Sequence, residues 1–324
     1  MKRQFILPVF TGLTTAVLLS IVQLMVERPV ILFERFIPGA GWIEIILIAF
    51  YASWVSSNMQ DKSKQAKWRV RTWLIFSVVF FSQLLLGIIG FDRFLMTGEL
   101  HLPIPVMIIG GAVFRAEFGF MPILFLTTVI LSGPAWCSHL CYFGALDAAM
   151  SGKKAAAGRK WSFSGPFKLS VLILVVLVAL ILRLFNVSVL YTTIIASVFG
   201  LAGLGMVFFI SPRKGRMMHC IHYCPVGTLV NYIKFINPFR FRIDETCTSC
   251  MRCTSVCRYD ALEPENIKNR KPGMTCTLCG DCMSVCRPGS FYYKFPGLEP
   301  ESSRKLYLGV TVTLHAVFLA LARI

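Results

Sequence analysis

Hydrophobic residues in this chain do not alternate with polar ones at a strand or surface-helix period. They run on, uncharged, for about twenty positions at a time. A helix needs about 20 apolar residues to cross a hydrocarbon layer ~30 Å thick, and the runs 4–26, 72–91, 118–138, 184–212 and 306–322 suit that length. Two weaker runs, 45–60 and 169–182, have interfacial anchors. Trp42 and Trp54 serve the first; Lys168 and Arg183 flank the second, with stems long enough to reach the headgroups. The pattern predicts about seven crossings, hence a mostly α, polytopic membrane helical bundle. The stretch 100–138 is too long for one straight helix and is broken by Arg115 and Glu117. A partial or re-entrant element over 103–114, followed by the true span, is therefore expected. Lys2 and Arg3 precede an uncharged run longer than the 7–15-residue core of a secretory signal, so a retained first helix is expected.

Composition agrees with the pattern. With 56% hydrophobic and 15% charged residues, a soluble hydrolase, a disordered tail and a disulfide-stapled secreted module are excluded. The net charge of +17 would suit nucleic acid, but its distribution points elsewhere. With the amino end inside and 100–138 as one net crossing, 27 of the 33 Lys and Arg fall on the inner side, against 10 of the 16 Asp and Glu. That bias is the positive-inside rule. Two full crossings in 100–138 would send Lys153, Lys154, Arg159 and Lys160 to the other side. The expected setting is a bacterial inner (cytoplasmic) membrane with the amino end cytoplasmic, lipid as the surroundings, and no nucleic-acid partner.

Between 237 and 300 the apolar runs vanish and cysteines take over. Cys247, Cys250, Cys253 and Cys257 repeat 29 residues later as Cys276, Cys279, Cys282 and Cys286. Each block has the Cys-x2-Cys-x2-Cys-x3-Cys spacing that supplies three corners of one cubane, while its fourth cysteine ligates the other. The expected sets are Cys247, Cys250, Cys253 and Cys286 for one [4Fe–4S] cluster, and Cys276, Cys279, Cys282 and Cys257 for a second. Zinc ribbons use two Cys-x2-Cys pairs rather than tight triplets, and disulfides require an oxidising compartment. The domain plan is then a helical bundle over 1–236, an inserted α+β two-cluster bacterial-ferredoxin domain over 237–300 on the cytoplasmic side, and a final transmembrane helix over 301–324. Ferredoxin runs place Pro after the fourth cysteine, whereas Arg258 and Arg287 stand here. Positive charge so close is expected to raise the reduction potential.

Four further cysteines form a second repeat. Cys137 and Cys141, and 83 residues later Cys220 and Cys224, share Cys-x3-Cys-x2-Gly-x-Leu, each pair with a His two positions before its second cysteine. Both follow a helix arriving at the inner face, which suggests two related halves. Soft thiolates suit iron–sulfur, Cu(I) or zinc. A third metal centre on Cys137, Cys141, Cys220 and Cys224 is one reading, cysteines without metal another, and copper or thiol redox chemistry a third. His139, His219 and His222 are candidate ligands or hydrogen-bond donors to such a site.

Paired Cys-x3-Cys sequences at membrane exits, followed by a two-cluster segment, resemble the polyferredoxin membrane proteins. These include the NapH-type quinol dehydrogenase subunit, the membrane part of NosR and the accessory protein CcoG. Trp136, Cys137, Cys141, Gly144, Cys220, Cys224, Pro225 and Gly227 carry the resemblance with the eight ferredoxin cysteines; Tyr142 stands where the family has Pro. The resemblance implies electron transfer between the quinone pool and a partner redox protein or reductase subunit, with quinol as the substrate of a dehydrogenase. Quinone chemistry needs proton acceptors near the headgroup, and the carboxylates expected near membrane depth are Glu117 and Glu44. The rival expectation is an accessory factor for a copper-containing respiratory enzyme, reducing metal or thiols.

Overall fold

The computed structural model describes residues 2–95, 102–117, 119–152 and 164–321. The basic stretch with Lys153, Lys154, Arg159 and Lys160 lies outside them. In chain order come α1 (Lys2–Met25), α2 (Gly41–Met59), α3 (Lys62–Ile89), the short α4 (Val106–Arg115), α5 (Phe120–Ser132), α6 (Tyr142–Ser151), α7 (Ser164–Leu184), α8 (Val189–Gly205), α9 (Ser211–Lys214) and α10 (Pro225–Ile233). There follow β1 (Arg240–Ile243), α11 (Arg252–Val256), α12 (Pro264–Lys268), β2 (Phe291–Lys294) and α13 (Pro300–Leu321). Seven helical stretches among the described residues are long and apolar enough to cross a membrane: Phe5–Met25, Gly41–Met59, Lys62–Ile89, Met121–Leu140, Gly165–Leu184, Val189–Lys214 and Pro300–Leu321. Their number and order are those the uncharged runs predict.

The chain falls into two compact units. The first comprises Met1–His101, His139–Tyr142 and Tyr293–Ile324, with α1, α2 and α13 packed together and α3 alongside. Its polarity is inverted relative to a soluble protein. Phe5, Leu13, Ile46 and Phe50 are exposed, while Thr11, Thr15, Ser56 and His315 are buried. In water such an exterior would forgo roughly 25 cal/mol for every Å² left unburied; in a lipid layer, inward hydroxyls of this kind would hold the helices together. Thr11 Oγ1 meets Ser56 Oγ at 2.7 Å, and Tyr51 Oη meets His315 Nε2 at 3.0 Å. Gly12 brings α1 close to α2, since a Cβ there would stand 2.2 Å from Ser53 Oγ. Asp61 caps α3 by accepting from the Ser63 N–H at 2.9 Å. At the end of α2, buried Arg304 donates to the Met59 and Gln60 carbonyls and to Gln65 Oε1, a cation placed where a helix leaves its carbonyls unpaired.

The second unit comprises Leu102–Ser138 and Phe143–Tyr292. Here α4 packs on α7 and touches α5, α8 and α10. At ten residues it is about 15 Å long, half of a ~30 Å hydrocarbon layer. Its ends are placed by two contacts. Ile104, just before it, fills the space over Gly200 midway along α8, where a Cβ would come within 2.3 Å. At the other end the Phe114 carbonyl accepts from Arg183 Nη1 at 3.4 Å, at the close of α7. The chain then reverses through left-handed Ala116 (φ 51°) into α5. This is the partial element expected before the span. Beyond α10 the apolar helices give way to the short α11 and α12 and a two-stranded sheet of β1 and β2, with Phe241 stacked on Phe291 at 5.5 Å.

Lys168 departs from expectation. Phe167 and Leu169 on either side of it are exposed, but Lys168 is turned inward and only 7% exposed. It is not a headgroup anchor.

Candidate iron–sulfur sites

The 29-residue repeat is reproduced residue for residue in the backbone. Ser249 and Met251 take left-handed φ values of 55° and 60°, and their counterparts Leu278 and Gly280 take 58° and 77°. A short helical turn follows each, Arg252–Val256 and Asp281–Val285. Left-handed backbone costs an L-residue roughly 1–2 kcal/mol, so three such side-chain-bearing residues mark loops bent against their preference. That bending makes chambers. Cys247, Cys250, Cys253 and Cys286 line one, with Ile267 and Phe291; Cys257, Cys276, Cys279 and Cys282 line the other, with Phe241 and Tyr259. The fourth cysteine of each block thus sits with the other block's triplet.

Electrostatics in the chambers is unfavourable to bare thiolates. Burial pushes the Cys253 thiol up to about 11. It also raises Cys257, Cys276 and Cys282, and neighbouring cysteines add to the rise at Cys257 and Cys282. Cys250 is the exception, lowered by the Arg252 N–H at the surface. A bound metal reverses this logic, because a coordinating thiol is deprotonated outright. The Ala261 N–H, 3.4 Å from Cys257 Sγ, and the Leu278 N–H beside Cys276 are donors of the kind that stabilise ligating sulfur. Among the described residues, no three His, Cys, Asp or Glu side chains converge on a point that would hold one metal ion. Zinc with sulfur at 2.3 Å holds its ligands about 3.8 Å apart; a four-iron cubane bridges a wider set.

The 83-residue repeat also has a shared backbone form, of another kind. Trp136–Leu140 and His219–Tyr223 are both π-helical turns, rare elements that favour functional sites. In each, the first cysteine (Cys137, Cys220) lies on the π-turn and the second (Cys141, Cys224) directly precedes the next helix, α6 or α10. Cys224 is the N-cap of α10, its Sγ accepting from the Gly227 N–H at 3.5 Å. In the first unit, the Cys141 carbonyl accepts from Trp73 Nε1 at 2.8 Å, and Tyr142 stacks on Phe80 at 3.8 Å.

Two stretches of the chain, 116–164 and 196–242, match a known family of 4Fe-4S binding domains. The chain is similar to iron–sulfur proteins. Each stretch holds one Cys-x3-Cys pair, and neither reaches the eight cysteines of 247–286. No curated protein and no solved structure matches the chain.

Within the second unit the iron–sulfur family's motif and the 29-residue repeat touch. Tyr259 Oη donates to the Cys137 carbonyl at 2.8 Å, and Ser138 Oγ donates to the Thr277 carbonyl at 3.2 Å. The buried pair Arg216–Asp260 closes at 2.6 Å, and the Met217 N–H donates to the Arg258 carbonyl at 3.1 Å. Tyr259 and Asp260 follow Cys257, Thr277 follows Cys276, and Arg216 stands just before the second π-turn. The Cys257 chamber is therefore the one beside the Cys-x3-Cys motif. Arg258, one residue after Cys257, is anchored at the end of α6. Its guanidinium donates to the Ala148 carbonyl at 3.0 Å and to Ser151 Oγ at 3.3 Å, capping the end of α6.

Three residues to which the sequence assigns no role at the cysteines lie at the motif. Asp147 is fully buried and accepts from the Cys220 N–H at 3.0 Å. Burial pushes its carboxyl up to about 6, against the pull of Ser211 and Cys220. Lys168 and Asn231 are the others. A carboxylate inside α6 and a lysine at a helix start carry no local signal; only the chain's path brings them to cysteines. Of the histidines, His219 is 4% exposed against Gly203 and Tyr223, and burial lowers it to about 4, so it is neutral. His139 packs on Tyr307 at 6.2 Å, and His222 is buried. None joins cysteines around a single ion. Glu44 is buried in α2, its Oε2 accepting from the Phe33 N–H at 2.7 Å. Glu117 is exposed in the turn after α4.

Proposed function

We propose that this is an integral membrane electron-transfer protein that passes electrons between the quinone pool and a partner redox protein. Two [4Fe–4S] clusters sit in the chambers of the 29-residue repeat, and a third centre sits at Cys137, Cys141, Cys220 and Cys224. The observation that carries the reading is the crossed sorting of eight cysteines into two chambers of four, beside a second motif that matches 4Fe-4S binding domains. When bound, such clusters take up and release single electrons. The chain supplies the order. Tyr259, Ser138 and the Arg216–Asp260 pair clamp the Cys257 chamber against the Cys137 segment, so the route runs from the membrane-proximal centre to that chamber and then to the Cys253 chamber.

A quinol substrate is supported by a cleft between α4, α7 and α8. Its volume is ≈ 330 Å³, its walls are apolar, and Gly110, Gly111, Ala196 and Phe199 are among its lining. That size lies within the range of small-ligand sites. Phe199 stacks on Tyr223 at 4.4 Å, and the Tyr223 hydroxyl donates to the Phe199 carbonyl, so one end of the cleft lies against the second π-turn. Arg115 lines the opposite end of the cleft, by the close of α7, and Glu117 follows it by two residues as a candidate proton acceptor at that far end. Glu44, tied to Phe33, lies in the other unit. The inner-membrane setting, with the cysteine segment cytoplasmic, rests on the positive-inside bias. The alternative is an accessory factor for a copper-containing respiratory enzyme, with a soft ion at the Cys-x3-Cys cysteines.

Quinol added to anaerobically purified protein tests the reading. It is expected to bleach the iron–sulfur absorbance, and acid-labile sulfide is expected near twelve per chain. Colourless, iron-free protein would end it.

A further inference from the structure

Lys168 is the group that the fold treats most unexpectedly. It opens a helix whose neighbouring positions face outward, yet its side chain turns in and is 7% exposed. With the Asn231 amide assigned so that its oxygen faces the lysine, the orientation that satisfies both neighbours, the ammonium donates to that oxygen at 2.9 Å and the Asn231 nitrogen donates to the Met274 carbonyl at 3.2 Å. Thr228 Oγ1 donates to the Lys168 carbonyl at 3.3 Å. Gly227 leaves room for the lysine, since a Cβ there would stand 3.7 Å from Nζ. The same Cβ position would stand 3.9 Å from Cys224 Cβ, so the ammonium and Cys224 flank Gly227; burial works against the lysine's charge, and Cys224, Cys137 and Cys220 oppose that.

A buried ammonium is costly unless an anion balances it. Asn231 is neutral and cannot. Cys224 lies across Gly227 from the ammonium, Cys137 and Cys220 also act on its charge, and a cysteine becomes an anion outright when it ligates metal. Asp147, held by the Cys220 N–H, adds further negative charge to the surroundings. A four-thiolate cubane is itself an anion, more so when reduced, so a fixed cation beside it favours the reduced form. Lys234 stands in a similar relation to Cys276 at the neighbouring chamber.

We infer that Lys168 is the built-in counter-charge of the metal centre held by the Cys-x3-Cys cysteines, and that it raises that centre's reduction potential. The inference rests on the iron–sulfur reading of this repeat. Lys168 here is a positioning residue, acting through charge rather than by ligation.

Redox titration followed by electron paramagnetic resonance tests it, with iron and sulfide counted on each preparation. K168M is expected to shift the membrane-proximal centre toward its oxidised form by about tenfold at fixed potential, which is about 59 mV for one electron. K168R should stay near the wild type, and the signals of the other two centres should hold in both variants. Should K168M lose the third centre while K168R keeps it, the counter-charge role stands. An unchanged midpoint in K168M, or loss of the centre from K168R as well, overturns the inference. A wild type with only about eight sulfides per chain and two signals overturns instead the iron–sulfur reading beneath it.

Discussion

The two cysteine repeats are built by different means. The 29-residue repeat is local. Its ligand loops bend themselves, through left-handed Ser249, Met251, Leu278 and Gly280, and each chamber is completed by one cysteine from a neighbouring loop. The 83-residue repeat depends on distant chain. Its cysteines ride on π-turns at the ends of long apolar helices, and its charges, Lys168 and Asp147, come from elsewhere in the sequence. Spacing alone can gather the cysteines of a short segment, whereas cysteines at the ends of long apolar helices take their electrostatics from the surrounding bundle.

Removing one ligand from each repeat makes the sharpest comparison. C282S is expected to abolish one cubane, with acid-labile sulfide falling by about four per chain, because three thiolates from rigid loops leave a corner open. C220S is expected to remove a further, spectroscopically separate centre of similar size. Equal sulfide contents in C220S and wild type would show that only the local repeat binds iron.

Next in size is the clamp between the repeats. Arg216 and Asp260 are a buried pair at 2.6 Å, and breaking such a pair costs about 3–5 kcal/mol because an uncompensated charge stays behind. D260N should therefore lower the thermal stability of the cysteine segment markedly. If unfolding of D260N matched wild type, the two repeats would not be coupled through this contact.

Sequence and structure agree best where information is local. The uncharged runs give all seven apolar stretches, and the broken stretch around Arg115 and Glu117 is a half-length helix ending in left-handed Ala116. The crossed cysteine sets are expected from the Cys-x2-Cys-x2-Cys-x3-Cys spacing, and the two chambers group the eight cysteines in the same way. What the sequence hides is where long polar side chains turn. Lys168 reads as a headgroup anchor, yet it is buried against α10, and Arg258, read only as a charge beside a cluster, also caps α6. Both have a stem long enough to reach either of two destinations, and only packing decides. The compact units likewise cut across the linear plan of bundle, insert and final helix: 139–142 groups with the first helices and α13 while its flanks do not.

A smaller effect probes the loop strain itself. Gly280 and Met251 occupy equivalent left-handed positions. G280A should cost about 1–2 kcal/mol, read as a lower unfolding midpoint, whereas M251G should cost little or nothing, since relief of strain offsets the extra chain entropy of glycine. Equal destabilisation by both would mean that side-chain packing, rather than backbone conformation, shapes these loops.

The smallest expected effect is the most informative about coupling. Tyr259 donates one hydrogen bond to the Cys137 carbonyl at 2.8 Å, and Y259F removes that donor while keeping the ring in place. A net loss of about 0.5–1.5 kcal/mol is expected, which folding measurements would barely resolve. Electron transfer should respond more clearly, because Tyr259 follows the Cys257 ligand by two residues and touches the Cys137 segment directly. Loosening that contact should slow re-equilibration between the membrane-proximal centre and the Cys257 chamber after a rapid pulse of reductant, with both midpoints unchanged. Unchanged kinetics in Y259F, alongside slowed kinetics in D260N, would move the electron path from the tyrosine to the ion pair. Unchanged kinetics in both would separate the two repeats functionally, however closely they pack.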